Sequence, residues 1–446
     1  MSLLLLKNFR LVDETTDTYG SVFVENGIIT KVYTSENVNA IKNIESSLNQ
    51  TDKLFDGKQN LVLMPAFVDL HAHFREAGID NDNRIPSECR ILSEYLGSAC
   101  KAAAAGGYGT VVCMANTNPP VDTITQAQVI KKRCDALGLI DVYPALSLTK
   151  GMEGKELSEI TLLPEKQEQS SNTNIAKCIR LISEDGKDIA DDTLFLSAMA
   201  EARRTVQQSC TGTVLSCHCD LDGENNATKR VLELAKKAAC RLHIAHVSTK
   251  EAIAMIDRAK KSQTHISCEV TPHHIALTEE TAIKLGEKSH GRVNPPLRSE
   301  EDRQALITAI ADGTIDAIAT DHAPHTLADK EKGAPGFSGL ETAFAVCYNT
   351  LVMPDIIKLS KLSSLMSAAP ARILGLGRGN PDQRRGHIKP GMRADFAIAD
   401  LCAIWTVEPA DFFSLGKNSP FAGKELKGKI VQTIRGGRIV FDQQST

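Results

Sequence analysis

Apolar and polar positions alternate through about the first forty residues, in "LLLLKNFRLVD" and then "GSVFVENGIITKVYT". This is the two-residue period of half-buried antiparallel strands. Asn26-Gly27 between two such runs is a hairpin signal, because both residue types tolerate the positive φ of a tight turn. A polar stretch follows, "NIESSLNQTDKLFDGKQN", with the look of a surface excursion. The strand pattern returns near the end in "RADFAIADLCAIWTV" and "GKIVQTIRGGRIVFD", the second turning at Gly436-Gly437. Both ends are therefore expected to build one small β-sandwich, residues 1–64 giving its N-terminal part and 386–446 its C-terminal part.

Residues 65–385 carry a different pattern. Eight continuous apolar runs follow one another: "LVLMPAFVDL", "YGTVVCMAN", "IDVYPALSL", "KCIRLIS", "GTVLSCH", "CRLHIAHV", "QTHISCEVT" and "IDAIATD". Helical patterns such as "SECRILSEYLGSACKAAAAGG", "NATKRVLELAKKAAC" and "SEEDRQALITAIADG" separate most of them. Strands apolar on both faces, alternating with helices, predict a parallel sheet covered on both sides. Eight such units predict a closed (β/α)8 TIM-like barrel, an α/β fold whose chemistry gathers at the carboxyl ends of its strands. Those ends hold His71 and His73 on the first strand, Asn116 on the second, and Glu184 and Asp185 on the fourth. The fifth ends in His218, the sixth reaches His246, and the eighth ends in Asp321, His322 and His325.

Composition narrows the possibilities. The chain has 446 residues, 42% hydrophobic and 24% charged, with a formal net charge of −4. It can bury a large core and lacks the basic footprint of a nucleic-acid binder. No run has the length needed to span a bilayer. No basic segment precedes the apolar cluster at the start, so a secretory signal is not expected. The twelve cysteines are scattered without a Cys-x-x-Cys pair, which fits reduced packing residues of a cytoplasmic protein. Cys217 and Cys219 flank His218 and, by strand alternation, face away from it.

His71, His73, Asp185, His218, His246 and Asp321 would bring four imidazoles and two carboxylates to one rim. Such a set suits zinc with an open coordination position. It is too large for one tetrahedral ion and fits two ions about 3.5–4 Å apart with one bridging carboxylate. His243, earlier on the sixth strand, is the alternative to His246, which lies nearer the strand end. His273 and His274 read as polar residues after the seventh strand, and His265, His290 and His387 as ordinary surface or core histidines.

Several stretches, taken in order, resemble the dihydroorotases of the amidohydrolase superfamily. They are "MPAFVDLHAHFREAG", "CMANTNPP", "LISEDG", "HIAHVSTKEA", "CEVTPHH", "RVNPPLRSEEDRQAL", "ATDHAPH" and "PGFSGLET". The resemblance runs from about residue 10 to the end. It implies a zinc-dependent barrel with a sandwich from both termini, converting (S)-dihydroorotate and N-carbamoyl-L-aspartate into one another in pyrimidine synthesis. It further implies that His71, His73 and Asp321 hold one zinc ion, and that His218 and His246 hold the other. An acid of "SEDG" would bridge, and Asp321 would be the catalytic acid and base. Glu184 and Asp185 are adjacent and so face opposite ways; Asp185 is taken as the bridge. His73, Arg75, Asn116, Asn294 and His325 match substrate-binding positions, and the glycine-rich loop around Pro335 and Gly336 matches a segment that closes on the ring. The partner implied is a small-molecule substrate, with neither nucleic acid nor membrane; a homo-oligomer or a contact with aspartate transcarbamoylase stays open.

The chain also departs from the family pattern, with "REAG", "MANT" and "CHCDL" where relatives have "RDPG", "MPNT" and "DHCED". Two competing readings remain at this stage. One is a related cyclic amidohydrolase, an allantoinase or dihydropyrimidinase, though those relatives usually carry a lysine on the fourth strand. The other is a non-catalytic dihydroorotase-like partner of aspartate transcarbamoylase.

Overall fold

Strands β1 (Leu3–Val12), β2 (Asp17–Glu25) and β3 (Ile28–Thr34) form the antiparallel meander that the alternation predicts. Asn26 and Gly27 turn between β2 and β3 with φ of 51° and 80°, the left-handed pair of a tight hairpin. A side chain at Gly27 would meet the Gly436 carbonyl, since its Cβ would stand 2.7 Å from that oxygen. The computed structural model describes residues 3–34, 37–47, 49, 52–76, 93–163, 178–208, 213–262, 265–377 and 384–445. Ala77 and Gly78 of "REAG" and the start of the helical pattern from Ser87 lie outside the described residues.

The polar stretch after β3 is more ordered than its composition suggests. It holds a helix (Val38–Ser47) and a short strand, β4 (Lys53–Asp56), which pairs in parallel with the first half of β1. Mostly exposed side chains explain why no hydrophobic period marks β4. Backbone pairing holds it, helped by Phe55 against the sandwich core and by Asn8 Nδ2–H donating to Asp56 Oδ1 (2.9 Å).

The run "LVLMPAFVDL" is two strands in two sheets. β5 (Leu61–Pro65) belongs with the terminal strands, and β6 (Phe67–Ala72) is the first barrel strand. The break falls at Ala66, whose N–H donates to Asp395 O (2.9 Å), while Phe67 N–H already donates to Gly107 O of the barrel (2.9 Å). Both halves are buried, so hydropathy shows no boundary between them.

The barrel continues with β7 (Tyr108–Cys113), β8 (Asp141–Pro144), β9 (Leu181–Ser183), β10 (Val214–Cys217), β11 (Leu242–Ile244), β12 (Ile266–Val270) and β13 (Ala317–Ile318). All neighbouring pairs are parallel. Parallel bridges Leu146–Ile182 and Ala72–His322 join the two arcs into a ring of eight strands, each lying in a predicted run. Helices Leu96–Ala105, Ile124–Leu137, Glu224–Ala238 and Glu300–Asp312 are among those packed outside. Thr123 opens the second of these with a reciprocal cap, bonding Gln126 N–H and receiving its side chain in return.

The last strands, β14 (Phe396–Thr406), β15 (Glu425–Arg435) and β16 (Arg438–Asp442), return to the first sheet. Its order is β16-β15-β14-β5-β1-β2-β3, with β4 also on β1, so the sandwich is built from both termini. It has its own core around Leu6, Phe9, Leu63, Phe396 and Ile434, separate from the barrel core. Among the described residues no helix is long and apolar enough to cross a membrane.

Candidate functional site

His71, next to last in β6, points into the barrel mouth, and His73, two residues on, shares its side. His71 Nε2 lies 3.0 Å from Asp185 Oδ1 and 3.7 Å from Asp321 Oδ1. His73 Nε2 lies 3.1 Å from Asp321 Oδ1 and 3.6 Å from Asp185 Oδ2. His218 Nδ1 approaches Asp185 from the other side at 3.6 Å, and the His246 ring centroid stands 4.4 Å from that of His218. Two donor groups result, His71–His73–Asp185 and Asp185–His218–His246, the ligand atoms of each lying within 4.8 Å of one another. Asp185 belongs to both.

These groups are buried, and several of their polar atoms lack an aligned hydrogen bond. His71 Nε2, Asp185 Oδ1, His218 Nδ1 and both nitrogens of His246 have no hydrogen-bond partner among the described residues. A single buried polar atom left bare costs about 1–3 kcal/mol. Several converging on one point have the donor set of a site for a divalent metal ion. Burial raises the Asp185 carboxyl, but His71, His218 and His73 outweigh it and hold it well below the usual carboxylate range. Burial, reinforced by His218 and His71, pushes His246 well below the usual imidazole value, so its ring stays neutral and presents a lone pair. Arg75, His246 and Asp321 have φ of 57°, 30° and 44°, a region side-chain-bearing residues rarely occupy and one that clusters at functional sites.

The structure separates the alternatives that the sequence left open. Glu184 is turned away, accepting from Leu148 N–H (2.9 Å), Thr149 N–H (3.1 Å) and the Thr149 hydroxyl. His243 sits deeper in the barrel than His246, with Nδ1 2.8 Å from Ser267 Oγ and Nε2 3.0 Å from Glu269 Oε2. Cys217 and Cys219 are buried in the barrel core.

A cavity of about 220 Å³ opens over these donor groups, walled by Arg75, Asn116, Asn294, His325, Pro335 and Gly336. Arg75 Nη2 lies 3.1 Å from His325 Nε2, and its Nε–H donates to Pro324 O (3.3 Å). The Asn294 amide is 2.9 Å from His218 Nε2. Asn116 is engaged at both ends, its Oδ1 2.9 Å from His73 Nδ1 and its Nδ2–H donating to Asp185 Oδ2 (2.8 Å). It orients His73 and Asp185 as well as lining the cavity.

The Pro335–Gly336 loop is pinned, contrary to the freedom its glycines suggest. Gly336 N–H donates to Arg292 O (3.0 Å), and Gly336 O accepts from Lys330 Nζ (3.0 Å) and Asn418 Nδ2 (2.8 Å). His325 Nε2 lies 2.8 Å from Pro335 O. A Cβ at Gly336 would stand 2.5 Å from that of Ala323, so only glycine fits this close approach.

Sequence reasoning missed the residues that hold these donor groups in place. Asp69, buried beneath the site, accepts from Thr320 N–H (3.0 Å), Thr320 Oγ1–H (2.5 Å) and His71 N–H (3.2 Å), locking the first strand to the last. Burial outweighs these bonds and pushes its carboxyl up to about 7. Glu224 accepts from Ser248 and Thr249 N–H (2.7 and 3.1 Å) and from Arg298 (3.2 Å), which fixes the turn after His246. His274, set aside from the sequence, is bonded through Nε2 to Pro295 O (3.0 Å), next to Asn294. Burial would raise Glu269, yet His243 and His71 bring it to about 2. The available signal was an acidic residue inside an apolar run, as in "FVDL" and "ISCEV".

The profile of the amidohydrolase family matches residues 62–440, and the chain belongs to that family. Within it the chain stands with the dihydroorotases. Relatives of that name include those of Clostridium botulinum (36% identical over 449 residues, 98% of this chain and 99% of the other) and Syntrophus aciditrophicus (35% over 465 residues, 99% of each). The dihydroorotase of Aquifex aeolicus is 33% identical over 461 residues, 98% of this chain and 99% of the other. Among solved structures, the L-hydantoinase (dihydropyrimidinase) from Arthrobacter aurescens superposes with a TM-score of 0.79 at 23% identity, covering 99% of this chain and 96% of that one. The dihydropyrimidinase from Brevibacillus agri gives 0.78 at 17%, covering 99% and 95%. At those identities the likeness is one of fold.

Proposed function

We propose that the chain is a dihydroorotase, reversibly hydrolysing the ring amide of (S)-dihydroorotate to N-carbamoyl-L-aspartate. One observation carries the reading: an aspartate shared between two histidine groups, beneath a small cavity that presents Arg75. We further propose zinc as the metal, two ions per chain. His71, His73 and Asp321 would hold one, His218 and His246 the other, with Asp185 common to both. When bound, the metal acidifies a water and polarises the amide carbonyl.

The remaining chemistry belongs to the chain. Asp321 takes the proton of the attacking water and returns it to the departing nitrogen. In the synthetic direction it removes the proton of the carbamoyl nitrogen. Arg75 offers a planar fork to the substrate carboxylate, with Asn294 and His325 beside it. Burial and the adjacent Arg75 push His325 down to about 4, so its ring is neutral at physiological pH and does not repel the guanidinium. A single His325 nitrogen faces both Arg75 and Pro335 O, and an arriving carboxylate would free it to donate to the carbonyl alone.

The test is a spectrophotometric comparison of dihydroorotate, hydantoin and allantoin. Turnover of dihydroorotate alone is expected, and turnover of hydantoin without dihydroorotate would replace this reading by the dihydropyrimidinase one. Arg75→Lys should raise KM for dihydroorotate about 10–100-fold with a smaller change in kcat, since a charged hydrogen bond contributes about 1.5–3 kcal/mol. An unchanged KM in steady-state assays would take Arg75 out of substrate binding.

A further inference from the structure

Glu269 projects from β12 into the barrel and is 1% exposed. Neither of its oxygens has an aligned hydrogen bond among the described residues, and no lysine or arginine among them pairs with it. Its only charge partners there are two imidazoles: His71 Nδ1 at 3.4 Å from Oε1 and His243 Nε2 at 3.0 Å from Oε2. A bare carboxylate in a closed interior is strongly unfavourable, so each imidazole has to turn an N–H toward it. His243 is held for this by its other nitrogen, 2.8 Å from Ser267 Oγ.

That arrangement fixes the tautomer of His71. With Nδ1 turned to Glu269, Nε2 on the Asp185 side is the ring atom left to donate to a metal ion, in the donor group described above. We infer that Glu269, backed by His243, is the positioning residue that orients His71 and sets how tightly the centre holds its metal. The inference rests on the reading of His71 as a metal ligand and deepens it. Carboxylates that accept the second N–H of a ligating histidine typically change metal affinity 10–100-fold when removed.

The experiment titrates zinc alone into metal-stripped protein against a chromophoric chelator. Glu269→Gln, equal in size but uncharged, should bind zinc about 10–100-fold more weakly than the native chain. Glu269→Asp should recover part of the loss, and the visible absorption of cobalt-loaded Glu269→Gln should differ from native. The metal-free native and Glu269→Gln proteins should unfold within a few degrees of each other. Zinc affinity within about twofold of native in Glu269→Gln overturns the inference. If that variant does not fold, His243→Asn decides, because it keeps the carboxylate and loosens one side of it; unchanged zinc affinity there overturns the inference equally. Dihydroorotate turnover with unaltered zinc binding in the variants removes the role of Glu269 alone. Zinc binding that depends on Glu269, in a protein inert toward dihydroorotate, removes the substrate reading alone. A native chain that binds no zinc removes both.

Discussion

Asp321→Asn is expected to lower kcat about 10³-fold or more in both the hydrolytic and the synthetic direction, with the fold intact. Asparagine matches the shape of aspartate and keeps one oxygen near His73 and His71, where Asp321 Oδ1 now stands at 3.1 and 3.7 Å. It cannot accept and return a proton. General acid–base catalysis contributes about 10²–10⁴-fold, and weaker metal holding adds to the loss. The imidazoles beside the proposed substrate position are already engaged. His73 is engaged by Asn116 and Asp321, and His325 faces Arg75 and Pro335. Kinetics in both directions, with circular dichroism as the fold control, check this. Activity within tenfold of native would move the proton to another group.

The second large effect separates two neighbours in sequence. Asp185→Ala removes the one residue common to both donor groups, so metal content after dialysis should fall close to zero and activity below about 1% of native. Glu184→Ala should keep its metal. It should instead lose about 1–3 kcal/mol of stability, because the N–H groups of Leu148 and Thr149 would be left buried without an acceptor. Elemental analysis and denaturant midpoints together give a crossed pattern. The reverse pattern would assign the bridge to Glu184.

The barrel was legible because its strands are buried on both faces, so each appears as an uninterrupted apolar run even where the paired segment is as short as Ala317–Ile318. The candidate ligands stood out for a related reason. Histidine is out of place in such runs, and at their ends it stands where barrel chemistry gathers. What could not be read depended on contacts distant in sequence. Whether Glu184 or Asp185 faces the mouth is settled by Thr149, 35 positions from Glu184. The loop at Gly336 looked free because its restraints come from Arg292, Lys330 and Asn418. β4 has no signature because only Phe55 of its side chains packs inward. Asp69 and Glu269 each read as one acid among apolar neighbours, and only three-dimensional closure puts Thr320 above the first and two imidazoles around the second.

The seam at Ala66 has a consequence for how the protein comes into being. β5 is hydrogen-bonded to β14, which emerges from the ribosome only after the whole barrel has been synthesised. The strand leading into His71 and His73 therefore gains its second neighbour only once β14 has followed the barrel. Losing one residue between Pro65 and His71 would invert the phase of the alternation and turn both imidazoles outward. The strand that feeds the rim thus shares one of its edges with sequence from beyond the barrel.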